Sequence, residues 1–210
     1  MENLFVKNDD IQLEAEYFES LSKKQLVVLI CHPDPRLGGS FYNNVISAIF
    51  NKLVSLEFSC MRFNFRGVGR STGYSTNGEG ELDDVKTCLK YLSTIKGYKK
   101  IIICGYSYGA AIGCSAIANS DNIIGYVAIS FPWDYMGEKY KQLSQTTKPK
   151  LFLQGDLDQI ADFSKFEKHF AFYKEPKSKM IVKGADHFYI GFEDKVAQEV
   201  VKYCSYLNKI

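Results

Sequence analysis

The chain has 210 residues, 46% of them hydrophobic and 24% charged, with a formal net charge of +2. This is ordinary globular composition, long enough for one sizeable core and short for two, and it excludes wholesale disorder. So small a charge argues against a nucleic-acid partner, and the Lys23-Lys24 and Lys99-Lys100 pairs read as decoration at the ends of strands and helices.

No apolar run approaches the length of a membrane span. The first residues, Met1 to Lys7, lack the charged-then-apolar layout of a signal peptide. The six cysteines are scattered with no C-x-x-C pair, so reduced thiols in a cytoplasmic protein are expected.

Leu4-Phe5-Val6 and residues 11–18 alternate apolar with polar on either side of Asn8-Asp9-Asp10, which predicts a hairpin with one buried face. Leu26-Val27-Val28-Leu29-Ile30-Cys31 is continuously apolar, as in a strand covered on both faces. A helix over 43–52, a strand over 60–65 and a helix from about 82 to 95 follow. Between the last two, residues 67–81 hold five glycines and read as a surface excursion. The apolar run Ile101-Ile102-Ile103-Cys104 leads into Gly105-Tyr106-Ser107-Tyr108-Gly109 and then into a small-residue helix over 110–118. Strands over 123–129, 150–154 and 179–182 alternate with helices over 163–172 and 192–207. A hairpin followed by strand–helix repeats predicts an α/β fold, a mostly parallel sheet with helices on both faces. No linker divides the chain, so one domain over 1–210 is expected.

Strand, G-x-S-x-G, helix is the layout of a nucleophile elbow, in which a serine is held at the tip of a sharp turn above the carboxyl edge of the sheet. A serine hydroxyl is a poor nucleophile at neutral pH and needs a base within hydrogen-bonding reach. Of the three histidines, His169 falls within a predicted helix, and His32 ends a buried strand and reads as a brace for the loop beyond it. His187 lies in a loop after the last strand, which makes it the best-placed base.

The acid that orients the base should fall between serine and histidine in the chain. Gly155-Asp156-Leu157-Asp158 follows a strand there; Asp158 has the reach to point back over the sheet, with Asp156 as the alternative or as a turn cap. Two backbone N–H groups are needed for the oxyanion. Tyr108, directly after the serine, supplies one. In the loop Cys31-His32-Pro33-Asp34-Pro35 the prolines have no N–H, which leaves Asp34 for the other.

These segments resemble the α/β-hydrolases over nearly the whole chain, in particular compact, lidless members related to the dienelactone hydrolase and small serine esterase branches. The likeness rests on His32-Pro33-Asp34-Pro35…Gly38-Gly39, Arg62 to Ser71, the G-x-S-x-G pentapeptide, Gly155 to Asp158, and Gly184-Ala185-Asp186-His187-Phe188. The resemblance implies an α/β-hydrolase fold with nucleophile Ser107, acid Asp158 and base His187, and an architectural role for the Arg66-Gly67 turn. It departs from the family at Asp34, where many relatives carry histidine, so a negative charge is expected near the oxyanion. It departs again at Ser107, which is cysteine in dienelactone hydrolases.

The interval after residue 129 is only about twenty residues, too short for an independent lid. An open site walled by aromatics follows, with Trp133 and Phe188 as candidate substrate contacts and Tyr106 and Phe131 equally readable as core. The histidines and cysteines lack metal-ligand spacing and no Walker or dinucleotide glycine motif occurs, so neither metal nor cofactor is expected. The expected function is a serine hydrolase cleaving small-molecule carboxylic esters, thioesters or small amides through an acyl-enzyme. The competing expectation is a catalytically silent binding or scaffold protein on the same fold.

Overall fold

Six consecutive apolar residues at Leu26–Cys31 can be satisfied only in the middle of a sheet covered on both faces, and all six are buried in strand β3. The computed structural model describes residues 1–8, 10–21 and 25–209. Asp9 of the expected hairpin turn and the Lys23-Lys24 pair lie outside the described residues. Strands β1 (Glu2–Asn8) and β2 (Ile11–Phe18) form the hairpin, and β4 (Ser59–Phe63), β5 (Lys100–Tyr106), β6 (Ile123–Ile129), β7 (Lys150–Gly155) and β8 (Lys177–Val182) complete the set. They form one eight-stranded sheet in the order β1-β2-β4-β3-β5-β6-β7-β8. The first two pairings in that order are antiparallel. Every later pairing is parallel.

Successive side chains of a strand point to opposite faces, and β3 distributes its residues accordingly. Val27, Leu29 and Cys31 enter one core layer, with Val85, Cys88 and Leu89 of helix α2 (Glu79–Lys90) and the residues of α3 (Tyr108–Cys114). Leu26, Val28 and Ile30 enter the other, against α1 (Asn44–Ser55) and α7 (Glu193–Leu207). The six cysteines are all buried and unpaired, packed as small hydrophobes.

Element boundaries move where capping chemistry decides them. Helix α2 begins three residues before the apolar periodicity starts, because the Glu81 carboxylate accepts from the Gly78 amide at 2.9 Å. It ends at Lys90 and passes into a wider π turn over Tyr91–Ile95. Between β6 and β7 lie two short helices, α4 (Trp133–Met136) and α5 (Glu138–Leu143), in the interval too short for a lid. Helix α6 (Phe166–Phe172) follows a 3-10 turn that Asp162 caps through the Ser164 amide.

Arg66 starts the glycine-rich loop and is tied to α2. Its backbone N–H donates to Asp84 at 2.9 Å, and its guanidinium donates to both oxygens of the same carboxylate at 2.7–3.1 Å. The Asp84 side chain is fully buried, so Arg66 works in architecture rather than chemistry.

Candidate active site

Ligands of open parallel sheets bind outside the carboxyl ends of the strands. Here the ends of β3, β5, β6, β7 and β8 are followed within five residues by Asp34, Ser107, Ser130, Asp158 and His187. The neighbouring ends are level, since Cys31 pairs with Gly105 and Tyr106 with Ile129.

Ser107 sits between β5 and α3 with φ 55° and ψ −121°, a left-handed conformation that a serine adopts only under constraint. The constraint comes from the flanking glycines. A Cβ on Gly105 would lie 2.2 Å from the Gly109 carbonyl oxygen, and one on Gly109 would lie 2.3 Å from that of Cys31. Strand and helix can approach this closely only without side chains. The same approach sets the start of α3 against the end of β3.

His187 Nε2 is 2.9 Å from Ser107 Oγ, and His187 Nδ1 is 2.9 and 3.0 Å from the two Asp158 oxygens. An ionised carboxylate only accepts, so Nδ1 carries the proton and Nε2 faces the serine hydroxyl as acceptor. Asp158 Oδ1 also accepts from the amides of Ile160 and Ala161 at 3.0 and 2.8 Å. Burial pushes the Asp158 carboxyl up, but donation from His187, Ser130 and Ala161 outweighs it and holds the group below the usual carboxylate range. Asp156 does not meet His187; it accepts from the Gly184 amide at 2.6 Å and so clamps the loop that carries the histidine. Tyr106 is buried and donates from its hydroxyl to the His187 carbonyl at 2.5 Å, a bracing role the sequence did not disclose.

The amides of Asp34 and Tyr108 have no acceptor among the described residues, and both residues line one cavity of about 300 Å³ with Ser107 and His187. The Asp34 loop is closed by hydrogen bonds from the Leu37 and Gly39 amides to the Asp34 carbonyl. Its carboxylate is enclosed too; burial raises its pKa, yet donation from Arg36 and Tyr135 lowers it overall. His32 beneath it is fully buried, with Nδ1 2.7 Å from the Pro33 carbonyl and Nε2 accepting from the Phe65 amide. The third histidine, His169, is half-buried and stacked on Trp133, away from Ser107.

Burial depresses the His32 pKa to about 4, below the ordinary 6.5. The unfolded chain therefore binds a proton that the native chain refuses, so this contribution to stability is full above pH 6.5 and falls as pH drops from 6.5 to 4. A loss of up to about 3 kcal/mol across that window is expected. Urea unfolding at a series of pH values checks it, with His32→Asn flattening the dependence.

Trp133, expected at the substrate, is in the core. It is 4% exposed, stacks against Phe131 and His169, and donates from its indole N–H to Tyr173 Oη at 3.0 Å. Helix α4 turns the indole inward and presents Tyr135 to the cavity instead. Phe188 lines the mouth and is 54% exposed, joined there by Leu37 and Ile160. A larger cavity of about 490 Å³ lies at the opposite end of the sheet, beside Lys150, Lys177 and α7, and holds none of these groups. Among the described residues no cluster of three or more His, Cys, Asp or Glu could hold a metal ion, and no helix is long and apolar enough to cross a membrane.

The elbow, the sheet order and the convergence of loops at one edge define the class of protein. The family model of the alpha/beta hydrolase fold matches residues 27–190, and the chain belongs to that family. It is 28% identical over 196 residues to an uncharacterized protein of Rickettsia prowazekii (strain Madrid E), covering 90% of this chain and 82% of that one. Among solved structures it is similar to an alpha-beta serine hydrolase homologue from Coxiella burnetii, at 28% identity and a TM-score of 0.87, covering 96% of each chain. A protein of unknown function from Agrobacterium tumefaciens superposes with a TM-score of 0.86 at 27% identity, covering 97% of this chain and 95% of that one. Fold and relatives together support hydrolase activity.

Proposed function

We propose that the protein is a serine hydrolase that cleaves carboxylic esters through an acyl-enzyme, with Ser107, His187 and Asp158 as its triad. The observation that carries this reading is the continuous hydrogen-bond chain from Ser107 Oγ through His187 to Asp158, with the serine on a strained turn. Ser107 Oγ attacks the ester carbonyl while Nε2 of His187 takes its proton. The tetrahedral oxyanion is met by the amides of Asp34 and Tyr108. His187 then returns the proton to the departing alcohol, and water repeats the sequence to release the acid. Asp158 holds the imidazole in the required tautomer and stabilises its charged form. Thioesters and small amides react by the same steps.

The mouth is apolar, formed by Leu37, Tyr135, Ile160 and Phe188, which suits a neutral aliphatic or aryl acyl group. Each methylene buried there contributes about 0.8 kcal/mol at most, so two of them should raise kcat/KM by up to about 15-fold from p-nitrophenyl acetate to butyrate. Covalent labelling by a fluorophosphonate, lost in Ser107→Ala, tests the nucleophile. A folded wild-type protein that neither labels nor turns over any ester would establish the silent, ligand-binding alternative instead.

A further inference from the structure

Asp34 sets an electrostatic difficulty for the site it serves. Its amide is assigned to the oxyanion, while its carboxylate, a few bonds away, lies within about 5 Å of that amide by covalent geometry alone. A carboxylate so placed repels the negative charge gathering on the tetrahedral intermediate. The Asp34 side chain is 5% exposed, so water screens little of that repulsion. Resting on the esterase reading above, we propose that Arg36 is a positioning residue of the oxyanion hole, one that cancels the Asp34 charge and braces both residues that supply the donor amides.

The contacts of Arg36 reach both donors. Its Nε and Nη2 meet the two Asp34 oxygens at 3.0 and 2.7 Å, a bidentate fork, and its own amide donates to Oδ1 at 2.9 Å. Its guanidinium carbon lies 5.7 Å from the centroid of the Tyr108 ring, the residue whose amide is the second donor. The Tyr108 hydroxyl is buried with no hydrogen-bond partner among the described residues, so packing, including this guanidinium, holds the ring.

Further donations from Arg36 tie the fork to α4 and to the glycine-rich loop. Nη2 donates to Tyr135 Oη at 2.9 Å, and that hydroxyl is 3.1 Å from Asp34 Oδ2. Nη1 donates to Asn77 Oδ1 at 2.8 Å. An exposed ion pair between near neighbours in sequence contributes little by itself. This one differs because its acid is buried and because its removal would leave a lone negative charge beside the oxyanion.

The alternative is a local turn clasp: Asp34 caps the 3-10 turn over Pro35–Leu37 and Arg36 merely shapes it. Charge and shape separate in a double variant. With p-nitrophenyl butyrate, Arg36→Met is expected to lower kcat about 30-fold with KM changed less than about twofold. Adding Asp34→Asn removes the stranded charge and should recover part of the loss, leaving kcat about tenfold below wild type because the brace is still missing. Arg36→Lys keeps the charge without the fork and should lose only about threefold to fivefold.

Either a wild-type kcat in Arg36→Met or a double variant as slow as the single one overturns the proposal. Should Arg36→Met fail to fold by circular dichroism, Asp34→Asn alone decides. With Arg36 then uncompensated and an Asn Oδ1 still able to accept from its amide and Nε, kcat should rise about threefold, and an unchanged or lower kcat overturns the proposal. Fluorophosphonate labelling of the wild type separates the two levels of failure. If Ser107 labels and esters turn over, those adverse outcomes remove the role of Arg36 alone. If the folded wild type does neither, the esterase reading fails and this inference fails with it.

Discussion

Ser107→Ala is expected to lower p-nitrophenyl butyrate turnover by at least about 10⁴-fold while leaving the melting temperature nearly unchanged. The loss is large because the hydroxyl oxygen is the atom that becomes acylated, and among the described residues no other nucleophile stands at hydrogen-bond distance from His187 Nε2. The fold survives because the constraint on this residue comes from Gly105 and Gly109, not from its own hydroxyl. His187→Ala should cost as much, and combining the two should cost no more than either, because the pair acts as one unit. Asp158→Asn should lose about 10³–10⁴-fold, since an amide can stabilise the wrong tautomer of the imidazole. Steady-state kinetics on the four variants, each checked by circular dichroism, decides the matter. A Ser107→Ala protein that keeps its turnover would place the chemistry on another residue.

A second large effect is expected far from the chemistry. Asp84→Ala should destabilise the protein by about 3–5 kcal/mol, lowering the melting temperature by roughly 10 °C for a chain of this size. The carboxylate is completely buried and receives the backbone and guanidinium donations of Arg66, whose own side chain is only 14% exposed. Deleting the acid strands a buried guanidinium, and Gly80 leaves that group little room to swing away, since a Cβ there would already meet Nη1. Thermal and urea unfolding measure the effect. Turnover well below the transition should stay within about threefold of wild type, since this pair anchors the glycine-rich loop without touching the cavity. A melting temperature within about 2 °C of wild type would mean that the pair is worth no more than a surface contact.

Much of this was readable in the residues. Continuous apolar runs at β3 and β5, the hairpin alternation and the glycines around Ser107 are local patterns, and each dictates its element whatever surrounds it. Ser107, Asp158 and His187 could be selected because each follows a strand end, and strand ends of a parallel sheet share one edge. In the sequence Asp158 is preferred to Asp156 for its reach, with Asp156 as the alternative because both carboxylates leave β7 within one turn; in the structure one lies beside the imidazole and the other closes onto the Gly184 amide. Trp133 went astray for a related reason. Its position after β6 was legible, but the short α4 that rotates the indole into the core and brings Tyr135 to the cavity carries too little periodicity to be seen in sequence.

The succession of the eight strands, the elbow and the chemical identity of its serine follow from the chain alone, because backbone sterics and hydrophobic periodicity act between residues close along the chain. Tertiary structure alone decided what Arg36, Tyr106 and Asn77 do. Their partners lie on different segments of the sheet edge, and only the packing of the sheet brings Arg36 onto Asn77, Tyr108 and Tyr135, and Tyr106 onto the His187 carbonyl. Hydrogen bonds and screened charges act over a few ångströms, so contacts between residues far apart in sequence leave no pattern in the chain that makes them.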